Sequence, residues 1–196
     1  VFRVPFLIAI ALAIAFGGGI WSTLAALNAS AGFGAIRIGA WSAFPQAQTA
    51  DADPYAKSHR AKAGRLLYGV AEGLAFTATT DDEGVALTGA CFYRIAGATP
   101  TARLWTLYAA DLQDMPLSGA VELPNAVNSR TVLRERDGRF AISVSTRARP
   151  GNWLALPAAT PFKLVLTLLD TPAAGSSGLV GLDMPAVTKI GCGNGN

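Results

Sequence analysis

Residues 4–27 of the chain, VPFLIAIALAIAFGGGIWSTLAAL, run for 24 positions without a charge. Coiled as a helix, such a run is about 36 Å long at ~1.5 Å per residue, more than a hydrocarbon core of about 30 Å requires. Three successive glycines, Gly17, Gly18 and Gly19, would weaken a helix in water but are tolerated in a membrane. Trp21 falls in the last turns, where an interfacial aromatic belongs, and Arg3 stands before the run, as expected of an N-terminus held in the cytoplasm. The pattern predicts a single-pass membrane anchor. Two other readings stay open. One is a cleaved signal peptide, with its apolar region at 6–16 and the small-residue site Ala29-Ser30-Ala31; the other is a buried helix of a soluble protein. The run exceeds a usual signal-peptide apolar region, which favours the anchor. Under either membrane reading, everything after residue 35 lies across the cytoplasmic membrane.

The charges sit almost entirely beyond this segment. Of the 29 charged side chains, only Arg3 and Arg37 fall in residues 1–50, and the 14 basic and 13 acidic residues that follow nearly cancel. A net charge of +3 spread this way is no basic face, so no nucleic-acid partner is expected. One His and two widely separated Cys exclude most zinc and iron–sulfur sites, and no metal or cofactor is expected.

Residues 28–53 are rich in Ala, Gly and Ser without a period and read as a connector, of which Trp41 and Phe44 pack a part onto the domain. Asp53-Pro54 is a helix start, and Tyr55, His59, Ala63 and Leu66 recur at helical spacing, which predicts one short amphipathic helix ending near Gly69. From residue 72 the period becomes two. Leu74, Phe76 and Ala78 alternate; so do Cys91, Tyr93 and Ile95 against Phe92 and Arg94, and Leu104, Thr106 and Tyr108 against Trp105 and Leu107. The stretch 111–128 reads as the longest loop. Strands at 130–134 and 140–144 flank the hairpin signal Asp137-Gly138. Residues 162–168 read as a long half-buried strand, and 187–190 as a last one. Short strands at this spacing with Gly, Pro and Asp turns predict a mainly β fold, a β-sandwich or jelly-roll-like domain. The expected division is 1–30 anchor or signal segment, 31–50 connector, and 51–196 β-sandwich.

No phosphate loop, dinucleotide fingerprint or Gly-x-Ser-x-Gly elbow occurs, and Gly175-Ser176-Ser177-Gly178 is one residue short of the last. His59, on the face of a cationic helix, reads as a packing or surface residue, and no catalytic residue is assigned. Asn28-Ala29-Ser30 matches a glycosylation sequon but abuts the membrane run. Asp81, Asp82 and Glu83 lack the alternating spacing of a calcium loop and read as a solvated hairpin tip. Two groups remain as ligand candidates. In Arg147-Ala148-Arg149-Pro150-Gly151-Asn152-Trp153, a Pro-Gly turn gathers two guanidinium groups, the Asn152 amide and the Trp153 indole, a set suited to a carboxylate, phosphate or sugar. The competing view has Trp153 plugging the core with the arginines solvated. The second group is Arg94 beside Tyr93, with Arg103 and Trp105 on an expected neighbouring strand. It either lines a pocket or covers a sheet face through cation–π contacts.

Several stretches resemble the bacterial cell-envelope proteins of the domain-of-unknown-function 1214 family. They are Asp51-Ala52-Asp53-Pro54-Tyr55-Ala56, Ala71-Glu72-Gly73-Leu74-Ala75-Phe76 with Thr79-Thr80-Asp81-Asp82-Glu83-Gly84, and Cys91-Phe92-Tyr93-Arg94-Ile95. Further matches are Ala102-Arg103-Leu104-Trp105-Thr106-Leu107, Asp137-Gly138-Arg139-Phe140, Arg149-Pro150-Gly151-Asn152-Trp153-Leu154, and Pro161-Phe162-Lys163-Leu164 through Leu169-Asp170-Thr171-Pro172. The apolar start and Gly39-Ala40-Trp41 are similar to its short, membrane-anchored branch. The resemblance implies a β-sandwich on the periplasmic side of the inner membrane. It also implies a companion protein carrying domain of unknown function 1254, and no established reaction. The 109–129 region departs from the family pattern. The expected function is a non-catalytic, envelope-anchored binding or assembly module whose small-molecule ligand is unknown. The alternative is an envelope enzyme of hydrolase type acting on a carbohydrate or lipid, alone or together with the companion protein, using acids such as Glu72 and Asp170 near Arg147 and Arg149. In an oxidising compartment, Cys91 and Cys192 are expected to form a disulfide rather than stay as two thiols.

Overall fold

The computed structural model describes residues 3–30, 35–45, 72–117, 123–157, 159–174 and 182–193, with the single positions 52, 54, 57, 58 and 61. The amphipathic helix expected at 53–69 and the 175–178 segment lie outside or almost wholly outside these residues. Helix α1 (Arg3–Ser30) contains one stretch, Arg3–Ala26, long and apolar enough to cross a membrane. Two of its hydroxyls are satisfied within the helix. Ser22 and Thr23 both donate to the Gly19 carbonyl, at 3.0 and 2.8 Å, as hydroxyls in hydrocarbon must.

Among the described residues, ten strands follow in two sheets. The first holds β1 (Ile36–Ile38), β2 (Trp41–Ala43), β3 (Gly73–Ala78), β9 (Lys163–Leu169), β5 (Leu104–Ala110) and β6 (Ala126–Asn128), in that spatial order. The second holds β10 (Ala186–Cys192), β4 (Cys91–Gly97), β7 (Phe140–Ser145) and β8 (Asn152–Ala155). They enclose one apolar core, in which Trp105 of the first sheet meets Phe140 of the second at 5.0 Å between ring centroids, and Tyr93 meets Phe162 edge-on at 5.8 Å. The predicted mainly β sandwich is the observed architecture.

Four local expectations differ from the structure. Residues 36–43, read as connector, form β1 and β2, because Trp41 is buried and its indole N–H donates to the Pro185 carbonyl at 2.7 Å. Strand β9 is buried on both faces rather than half-buried: Lys163, Val165 and Thr167 are enclosed as well as Leu164, Leu166 and Leu168, in a strand paired on both edges by β3 and β5. The expected strand 130–134 is a run of turns with a single bridge, Arg134 to Phe140. There the Asn128 carboxamide accepts the N–H groups of Arg130 and Thr131, at 2.9 and 3.1 Å, and bends the chain out of the sheet. Of the solvated tip expected at 81–83, Asp82 and Glu83 are exposed, but the first acid is not. Asp81 is buried and accepts the N–H groups of Glu83 and Val85, while Asp82 accepts those of Ala40 and Val187 and so ties the β1–β2 turn to β10.

One turn is built three times. At 81–85, 111–115 and 135–139 the first N–H donates to the fifth carbonyl, and the fourth N–H to the first carbonyl. The fourth residue takes a positive φ, 84° at Gly84, 83° at Gly138 and 74° at Asp114. An aspartate tolerates this conformation less well than glycine. It is retained at 114 because its carboxylate pairs with Lys163, a side chain only 8% exposed whose ammonium also donates to the Leu112 carbonyl. The Tyr93 hydroxyl is likewise enclosed, accepting the Thr88 N–H at 2.9 Å, and burial holds its pKa above the usual tyrosine value.

Asp114→Gly, although it installs the residue favoured at this turn position, is expected to lower unfolding stability by about 2–3 kcal/mol, since relief of roughly 1 kcal/mol of strain is outweighed by leaving a buried ammonium without its counter-ion. Urea unfolding of the variant measures it, and a gain in stability would contradict the assigned role of Lys163.

Candidate functional site

Strands β7 and β8 are parallel neighbours joined by only residues 146–151. Parallel pairs usually need a crossover of a dozen or more residues. The short link suffices because β8 enters the register early, with Asn152 opposite Ile142, so the chain has to return only three positions. The result is an arch at the end of the sheet, and its own side chains close it. Ser145 donates to the Arg147 carbonyl at 2.6 Å, and the Trp153 indole N–H reaches the Ser145 carbonyl and hydroxyl at 3.1 and 3.2 Å. Asn152 replaces a missing strand partner. Its carbonyl accepts the Leu133 N–H at 2.7 Å, and its amide donates to the carbonyls of Leu133 and Ala141 at 2.8 and 2.9 Å.

The motif 147–153 therefore divides in two. Asn152 and Trp153 shape the arch, and Arg147 and Arg149 are presented on it, exposed. Both arginines line a concavity of about 240 Å³ that also includes Phe92, Cys91, Ser145 and Gly193, with no carboxylate among the described residues that line it. Arg149 lies over the Phe92 ring, its guanidinium carbon 4.5 Å from the centroid. The same ring rests on β10 at Gly191, where a Cβ would come within 3.0 Å of it. Phe92 is thus a pedestal that orients Arg149. Cys91 and Cys192 are disulfide-bonded beside it, with Cα atoms 3.8 Å apart, closer than the common range of about 4.4–6.8 Å. Closing a loop across a sequence separation of 101 corresponds to roughly 4–5 kcal/mol in the chain-entropy model.

The second predicted group is not assembled. Arg94 and Arg103 do not sit on neighbouring strands, because 98–103 carries the chain from one sheet to the other. Arg94 is exposed on the outward face of β4. Arg103, 82% exposed, pairs at 3.0 Å with Asp170 at the surface beside the other sheet. Trp105 is a core residue, 2% exposed against Phe140, and presents nothing to a ligand. Glu72 and Asp170 are neighbours through the Asp170 N–H and the Glu72 carbonyl at 2.8 Å, but neither lines the arginine concavity. Sequence reasoning missed Phe92 as the pedestal. The signal was an aromatic on the outward phase of the β4 alternation, two residues before an arginine. Among the described residues no cluster of His, Cys, Asp and Glu is suited to a metal ion.

A helix of membrane-spanning length followed by a two-sheet β sandwich defines the class of this chain. It belongs to the family described as protein of unknown function (DUF1214), whose model matches residues 72–173, more than half of the chain. Among solved structures it is similar to the VPA0106 protein from Vibrio parahaemolyticus, with a TM-score of 0.57 and 20% identity over 71% of this chain and 36% of that one. The chain thus spans about a third of the length of that structure. An uncharacterized protein from Burkholderia cenocepacia is more distant, with a TM-score of 0.39 and 15% identity over 61% of this chain and 29% of that one. No curated protein matches.

Asn152→Ala removes three hydrogen bonds at once and is expected to cost about 2–3 kcal/mol in a denaturant titration, at roughly 1 kcal/mol each. Arg149→Ala, at an exposed position, should shift the same curve by under about 0.5 kcal/mol. Equal losses would mean that the arch and the arginines are not separable in this way.

Proposed function

We propose that this protein is a non-catalytic, membrane-anchored binding or assembly module that holds an anionic group at the 146–151 arch. One observation carries the reading: two exposed arginines, of which Arg149 is braced on the Phe92 ring, line the same concavity. Arginine binds carboxylate and phosphate oxygens through paired N–H donors, and a guanidinium braced on an aromatic ring gives up less freedom on binding. The enzyme alternative required Glu72 or Asp170 beside these arginines, and that arrangement is not assembled.

Helix α1 supports anchoring in a membrane, and the Cys91–Cys192 bond supports an oxidising compartment, which in a bacterium is the periplasmic side of the inner membrane. A companion protein with domain of unknown function 1254 is the partner the family resemblance suggests. Pull-down of the intact chain from envelope extracts, with identification of proteins and small molecules, tests this partner.

Expressed with its natural N-terminus, the protein is expected to remain in the membrane fraction after a high-salt wash. A soluble form beginning near Gly32 would replace the anchor with a cleaved signal peptide. For the arch, calorimetry with inorganic pyrophosphate should show Arg147→Ala and Arg149→Ala each weakening binding several-fold, with the melting temperature nearly unchanged. Loss of stability without loss of binding would make the arginines structural.

A further inference from the structure

The arch is one end of a larger surface. Across the outward side of the second sheet, the register sets Thr188, Arg94, Ser143 and Trp153 in one row, over four adjacent strands. Phe92, carrying Arg149, lies two residues along β4 from Arg94, about 7 Å away. Strands β4, β7, β8 and β10 contain no Asp or Glu, so the strands themselves bring no negative charge to this face. Its floor is low, with Ala186, Ala96 and Ala141 forming the next row beyond Arg94. Trp153 is half-buried, and its N–H is bound to Ser145, so the indole is pinned beside this row rather than folded into the core.

The positions are too far apart for one small anion. Arg94 and Trp153 stand two strands apart, about 10 Å, with Ser143 between them. A ligand that uses all three of Trp153, Arg94 and Arg149 must be extended, carry anionic groups, and offer at least one flat apolar surface to an indole. Sugar rings have such a surface on their C–H face and hydroxyls around it, for which Ser143 and Thr188 are matched neighbours.

We propose that this face binds an acidic glycan, a short saccharide chain bearing carboxylate or phosphate groups, with one ring against Trp153 and its charges on Arg94 and Arg149. The inference rests on the anion-binding reading of the arch and extends it along the sheet.

Calorimetry on the full chain in detergent micelles tests it with four probes: tetragalacturonate, its neutral methyl ester, maltotetraose phosphate and inorganic pyrophosphate. At least one acidic saccharide is expected to bind about tenfold more tightly than both the neutral ester and pyrophosphate, and which of the two does so assigns the charged group. Arg94→Ala should weaken that saccharide about tenfold and leave pyrophosphate unchanged, whereas Arg149→Ala should weaken both. Pyrophosphate binding as tight as the saccharide, saccharide binding indifferent to Arg94→Ala, or equal binding of the neutral ester would overturn the glycan inference while leaving the anion site standing. Failure of all four probes to bind would overturn both.

Discussion

The pleat of β4 is the constraint on which both the core and the candidate surface depend. Cys91, Tyr93 and Ile95 point inward, so Phe92 and Arg94 must point outward. A slip of one residue would bury a guanidinium and expose a tyrosine whose hydroxyl now holds the Thr88 N–H. The strand is held in phase from both sides, by β7 through five opposed pairs and by β10 through a ladder that shifts register between Lys189 and Gly191. That irregularity sits under Phe92. It sets glycine opposite the ring, and the ring in turn sets the height of Arg149.

Much of this was legible in the sequence. The alternations beginning at Leu74, Cys91 and Leu104 mark β3, β4 and β5, and the group at 147–153 is where the arginines converge. What the pleat conveys is which residues share a face of one strand. It does not say which sheet the strand joins, so Arg103 and Trp105 could be placed beside Arg94 when they belong to the opposite sheet. Strands β1 and β2 have three residues each, too few for a period to show, and their membership depends on the burial of one tryptophan. The role of Asn152 was hidden for another reason. A carboxamide suits a ligand and a lone backbone segment equally well, and only the position of Leu133 decides between them.

Polar side chains in this sandwich serve the backbone more than the solvent. Asp81, Asp82, Asp111, Asn128 and Asn152 each accept main-chain N–H groups where the strands end or bend. With 15% charged residues, the chain has few such groups to spare. The consequence is a division of labour by residue type. Carboxylates and carboxamides are drawn into turns, where an unpaired buried N–H would cost about 1–3 kcal/mol, and the exposed arginines of the second sheet are left without acidic neighbours on their own strands.

The disulfide gives the chain a temporal order as well as a fastening. Strand β10 is the last of the described strands, and its partner β4 lies about a hundred residues earlier, so their pairing is among the most non-local closures in the fold. Until Cys192 has emerged, β4 presents an open edge and a single thiol. Oxidation therefore reports that β10 has reached β4. A chain interrupted before β10 keeps a reactive cysteine and an unpaired strand, the two features by which an oxidising compartment distinguishes an open second sheet from a closed one.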